Sequence, residues 1–260
     1  MCSKNSSDRP GDSRAALKRE SDTIEAEPVN AVDRPAISRV RLGVLRFAAV
    51  GPILWILSIQ FFVVEVVVAN AWKSPAYSWR INSISDLGAT RCGQFDGRYL
   101  CSPLHGIMNS SLVVFGITMT VGSMLTYRRL RNGRAAFAMM TLAGLGPLLV
   151  GVFPETSIFW AHLVGQDLAF MFGNIAQIVF SFTLSEPLWL RRYSRISGAT
   201  ALVALFLFLS HHRFFLGLGG MERVVAYPLV IWLIVSGVYV QNIPKQSPPS
   251  LIDPPSRPGS

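Results

Sequence analysis

The chain has 260 residues, of which 50% are hydrophobic and only 15% charged, with a mean hydropathy of +0.39. An ordinary soluble domain carries about a quarter charged residues, so this balance excludes that class and indicates an integral membrane protein. The net charge of +9 does not point to nucleic acid, because the Lys and Arg residues sit in tails and short loops beside apolar blocks. That arrangement is a positive-inside bias.

Taken in order, residues 1–42 mix Lys and Arg with acids, hold few aliphatics and show no apolar period, which predicts a disordered cytoplasmic tail. Residues 43–240 predict an all-α integral membrane domain, a bundle of about six transmembrane helices with the lipid bilayer as its solvent. The spans fall at about 43–70, 103–127, 135–153, 160–184, 196–216 and 221–240. Ser102-Pro103 supplies an N-cap and first-turn pair for the second span. Gly144, Gly146 and Gly151 in the third allow a close helix approach. The Pro- and Ser-rich stretch 241–260 reads as a second disordered cytoplasmic tail.

Orientation follows from the bases flanking the spans. Arg128, Arg129, Arg131 and Arg134 crowd one loop, and Arg191, Arg192 and Arg195 another. On the opposite side Lys73, Arg80, Arg91 and Arg98 are spread through one long loop. Both termini are therefore expected inside. The long loop then faces an oxidising compartment, and Cys92 and Cys101 within it are expected to form a disulfide. Closing a loop of that length stabilises by roughly 2–3 kcal/mol on the chain-entropy argument.

The run Asn82-Ser-Ile-Ser-Asp-Leu-Gly88, the run Cys101-Ser-Pro-Leu-His-Gly-Ile-Met-Asn109, and Gly151-Val-Phe-Pro-Glu155 followed by His162 resemble the multi-pass family known as domain of unknown function 998. The resemblance covers roughly residues 44–240 and leaves out both tails. It implies a multi-pass protein of the cytoplasmic membrane of a bacterium or archaeon and supplies no reaction.

Ionisable groups inside a bilayer normally face a partner or a cavity. At 100° per residue, Asp167, Asn174 and Ser181 fall on one stripe of the fourth span, while His105 and Asn109 share a stripe of the second. Asp167, Asn174, His105 and Asn109, with Glu65, Ser85, Asp86, Glu155 and His162, make a candidate ligand-binding set toward the outer side. The main expectation is a polar pocket opening outward that takes a lipid or a small ligand. Ser85 and Asp86 also read simply as turn or capping residues, and the intramembrane polar groups as interhelical hydrogen bonds.

Two other functions use the same residues. A membrane-embedded metal-dependent hydrolase would draw zinc ligands from His105, His162 and His211, with Ser85 and Asp86 alongside, in distant likeness to the ceramidase and adiponectin-receptor type of hydrolase. This chain lacks the His-x-x-x-His pair of that type in its final span. A proton-coupled transporter would use Glu65 and Asp167 as protonatable groups, although no inverted repeat is visible.

Overall fold

The computed structural model describes residues 50–130, 132–183 and 187–243. The expected N-terminal tail, the first residues of the first span and residues 244–260 lie outside them, while Gln241 and Asn242, expected in the second tail, are helical and close the last span. Among the described residues six helices are long and apolar enough to cross a membrane. They are α1 (Val50–Ala71), α2 (His105–Leu130), α3 (Arg134–Val152), α4 (Phe159–Thr183), α5 (Leu188–Leu209) and α6 (Phe214–Asn242).

Each helix packs on the next, α6 returns to α1, and α4 also meets α6. The most extensive helix contact joins α2 to α3. A Cβ on Gly144 would stand 2.7 Å from the backbone N of Thr120, so only a glycine lets these two backbones lie so near. Away from the loop segment 72–104, the interior centres on Trp55, Phe137, Phe180 and Trp232, whose rings are in mutual contact. The Trp55 indole N–H donates to Ser123 Oγ (3.2 Å) and that of Trp232 to Ser194 Oγ (2.7 Å), so neither polar edge is left bare.

Three helices differ from expectation. α6 begins at Phe214 rather than near residue 221, and α5 ends at Leu209 rather than near 216. α5 begins at Leu188 rather than near residue 196 and includes its three arginines, because Arg191 and Arg195 fold back onto the end of α4. Arg191 Nε donates to the Ser181 carbonyl (2.9 Å) and Arg195 Nε to Ser181 Oγ (3.0 Å). α4 is regular over Phe159–Asp167 and Gly173–Thr183, but Leu168–Phe172 between them form a π-turn. A π-turn closes i→i+5 hydrogen bonds and so shifts the helix faces on its two sides out of register. Asn174 and Ser181 are buried, whereas Asp167, before the turn, is exposed. The single stripe expected for Asp167, Asn174 and Ser181 is thereby corrected.

The long segment between α1 and α2 folds down over the bundle. It contains a hairpin, β1 (Gly93–Phe95) against β2 (Arg98–Leu100), in antiparallel register with Phe95 opposite Arg98. The two connecting residues, Asp96 (φ 46°) and Gly97 (φ 76°), are both left-handed, as a tight two-residue hairpin turn requires. Cys92 and Cys101 are bonded to one another just outside the paired residues. A short 3-10 helix, Ser85–Gly88, precedes the hairpin and is buried throughout. The segment reaches α6 most closely at Gly219, where a Cβ would fall 1.9 Å from the Asn82 carbonyl oxygen, so no other residue fits there.

Candidate functional site

The Asn82–Gly88 run is shaped by its own side chains. Asp86 accepts from Asn82 Nδ2 (3.0 Å), the Ser83 backbone N–H (3.1 Å) and Ser83 Oγ (2.8 Å), while the Asp86 N–H donates back to Ser83 Oγ (3.0 Å). The reciprocal bonds satisfy the backbone of a tight turn, as a capping box does at a helix start. Asn109 on α2 supports the far end, donating from Nδ2 to the Gly88 carbonyl (2.9 Å).

Arg98, carried in by the hairpin, closes on Asp86 with Nε to Oδ2 at 2.8 Å and a second guanidinium nitrogen to Oδ1 at 2.6 Å. Burial by itself would raise the Asp86 carboxyl. The Arg98 guanidinium on both its oxygens more than offsets that and holds it below the usual carboxylate range. Glu155, in the short connection between α3 and α4, lies 3.6 Å from the same guanidinium. Burial first, and then the charge of Asp86, push the Glu155 carboxyl up to about 9, so it carries a proton at neutral pH. Its Oε1 is buried with no hydrogen-bond partner.

One turn into the bundle lies a second polar cluster. His162 Nδ1 is 3.1 Å from the Phe153 carbonyl oxygen, which can only accept, so Nδ1 carries the proton. In the neutral ring Nε2 is then the acceptor, and it faces Ser85 Oγ at 3.0 Å. Glu222 of α6 meets the same serine, with Oε1 3.3 Å from Oγ, and accepts from the Ile84 N–H (2.6 Å) and Gln166 Nε2 (3.1 Å). His162 and Gln166 stand four residues apart on α4, which puts both on one face.

Below this cluster is a cavity of about 50 Å³, walled by apolar side chains of α1, α2, α3, α4 and α6, among them Phe61, Phe115, Val150 and Leu229. Ser85, Gln166 and Glu222 form its polar part. At about 10–15 Å³ per water, the space takes a few small groups. Two open surface grooves flank the hairpin. One, of about 440 Å³, runs past Arg80, Arg98 and Arg213; the other, of about 400 Å³, is lined in part by Glu155.

A third cluster surrounds Arg223 of α6. Its guanidinium bonds Glu65 Oε1 through Nε (3.0 Å) and pairs with the same oxygen again at 2.9 Å. It also donates to the carbonyls of Trp79, Asn82 and Gly219 and to the Tyr77 hydroxyl. Tyr227 donates to Glu65 Oε2 (2.9 Å), and the Trp79 ring covers the guanidinium at 4.6 Å.

Of the residues expected to form the site, Ser85, Asp86, Glu155 and His162 come together. Glu65 lies in the neighbouring Arg223 cluster. Asn174 is deeper, bonded from Nδ2 to the Phe170 carbonyl (2.7 Å) and the Val225 carbonyl (3.3 Å), and it joins α4 to α6. His105 caps its own turn, Nδ1 to the Ser102 carbonyl at 3.0 Å. His211 is exposed beyond the end of α5. The three histidines are thus dispersed, and among the described residues no group of three or more His, Cys, Asp or Glu is placed to hold a metal ion. Glu65 and Asp167 do not pair; one is buried against Arg223 and the other is exposed.

Arg98, Gln166 and Glu222 join the candidate site in the structure and are not in the set expected from the sequence. The signals were present as an Asp96-Gly97 hairpin turn delivering Arg98, and as an acid-base pair, Glu222-Arg223, opening an apolar span.

No curated protein and no solved structure matches the chain. Residues 46–239 match the family model described as protein of unknown function (DUF998). That stretch takes in all six helices, the 3-10 turn and the hairpin up to the last turn of α6, and the chain belongs to the DUF998 family.

Proposed function

We propose that this membrane protein binds an amphiphile, a lipid or lipid-like small molecule, with its polar group at Ser85, Gln166 and Glu222 and its first carbons in the cavity. The observation that carries the reading is the cavity's composition: apolar walls throughout, and polar side chains from three different elements converging in one place. Ligand sites take this form, mostly apolar with a few placed polar groups that fix orientation. A lone interhelical hydrogen bond would not need three elements and an unfilled space beside them.

In this reading the chain lies in the cytoplasmic membrane of a bacterium or archaeon with both termini inside. The hairpin, its disulfide and the two grooves then face the outer side. The basic clusters Arg128–Arg129–Arg134 and Arg191–Arg192–Arg195 support that orientation.

A photoreactive fatty-acid ester, added to the protein in mild detergent and irradiated, tests the proposal. Cross-links are expected on residues lining the cavity, such as Ala226 and Leu229, and Ala226→Phe, which fills the space, is expected to lower the yield at least fivefold. Equal cross-linking of the wild-type and filled proteins, with both eluting as folded species, would overturn it.

A further inference from the structure

Resting on that reading, the geometry points to a Ser85–His162 nucleophile–base pair that cleaves a carboxylic ester whose first acyl carbons lie in the cavity. Three features carry this beyond binding. The Ser85 hydroxyl lies 3.0 Å from His162 Nε2, within the reach a base needs to take the proton. The tautomer is set by the Phe153 carbonyl on Nδ1, the orienting role that a carboxylate fills in other serine–histidine pairs. The serine also lies in the cavity wall, so a bound carbonyl has access to its Oγ.

Gln166 completes the arrangement. One of its two Nε2 hydrogens is held by Glu222 Oε1, which fixes the amide, and the other is free to donate to an oxygen developing charge. Glu222 is a positioning residue: Oε2 accepts from the Ile84 N–H and Oε1 from Gln166, and the single Ser85 hydroxyl hydrogen turns to the nearer His162 Nε2 (3.0 Å) rather than to Glu222 Oε1 (3.3 Å).

The reaction balances as an ester hydrolysis. Ser85 Oγ bonds to the ester carbonyl carbon while its proton passes to His162 Nε2. The carbon–oxygen bond to the alcohol then breaks, and His162 returns the proton to the leaving oxygen. Water attacks the resulting acyl-serine, losing a proton to His162 that goes back to Ser85 as the acid departs. Water is the second reactant. Glu155, two residues after Phe153 in the chain, lines an open surface groove of about 400 Å³.

An alkyl fluorophosphonate, which phosphonylates an activated serine, provides the test on the full-length protein in detergent, read by intact mass and peptide mapping. A single adduct on Ser85 is expected. It should be absent in Ser85→Ala, and its rate should fall at least tenfold in His162→Gln and in Gln166→Ala, with the variants matching wild type by gel filtration. Gln166→Ala guards against a His162 variant that does not fold. Equal labelling of wild type and Ser85→Ala would overturn the pair. So would an unlabelled wild type that still cross-links the photoreactive ester, in which case binding stands without catalysis. Loss of both labelling and cross-linking in the folded wild type overturns the binding reading as well.

Discussion

Two buried clusters occupy the same end of the bundle and teach opposite things about intramembrane charge. Around Arg223 the guanidinium donates to Glu65, Tyr77, Tyr227 and three backbone carbonyls, and Glu65 is engaged at both oxygens. No side-chain polar atom of that pair is left without a partner and Arg223 does not line the apolar cavity, so the cluster ties α1, α6 and the long loop together. Around Ser85 and Glu155 the bonding is incomplete. Glu155 Oε1 has no partner, Gln166 has a donor to spare, and apolar empty space begins at Ser85. Saturated polar networks rigidify a fold, and unspent bonding capacity beside a cavity is what a ligand can use.

The largest expected effect separates the clusters by stability. Arg223→Leu leaves the Glu65 carboxylate buried without its cation and should destabilise by about 3–5 kcal/mol, measured by denaturant unfolding in detergent. Replacing both members, Glu65→Leu with Arg223→Leu, should recover part of that loss. A neutral Arg223→Leu would break the comparison, since the cluster would then not be structural.

A pH series sharpens the other side. Glu155 has its folded-state carboxyl raised to about 9 against 4.5 for the free group, so its proton favours the folded state. That contribution is complete below about pH 4.5, declines as pH rises and is gone above about 9. Asp86 runs the other way: held low by Arg98, it contributes above its ordinary range and loses that as pH falls. Between pH 5 and 9 the wild-type melting temperature should therefore fall, and Glu155→Gln, neutral at every pH, should flatten the decline. An unchanged slope in Glu155→Gln would assign the decline to other groups.

The smallest effect is a contrast within α4. Asp167→Asn, at an exposed position, should change stability by no more than about 0.5 kcal/mol and leave ester cross-linking unaltered. Asn174→Ala, which removes the donor to two buried carbonyls, should cost about 1–3 kcal/mol. Equal costs by unfolding in detergent would contradict the register shift at the π-turn.

The same π-turn shows why part of the site was not legible. Stripe arithmetic at 100° per residue assumes an unbroken α-helix, and it grouped Asp167 with Asn174 across five residues that do not obey it. Gln166, one residue earlier, is the side chain that reaches Glu222. Ser85, Asp86, Glu155 and His162 were legible because polar, ionisable residues are rare at the edges of apolar spans. Arg98 was counted only as a loop charge, since its partner Asp86 lies twelve residues away and is reached through the hairpin.

Composition and the spacing of apolar blocks determined by themselves a helical fold whose described residues hold six helices long and apolar enough to cross a membrane, because a bilayer leaves a chain few other ways to satisfy its backbone. The tertiary structure alone decided which polar groups meet. Ser85, His162 and Glu222 belong to a loop, to α4 and to α6, and the last two lie 77 and 137 residues from the serine. The 3-10 turn that places Ser85 and the rotations of α4 and α6 bring them within hydrogen-bond range, and hydrophobic periodicity carries information about none of these.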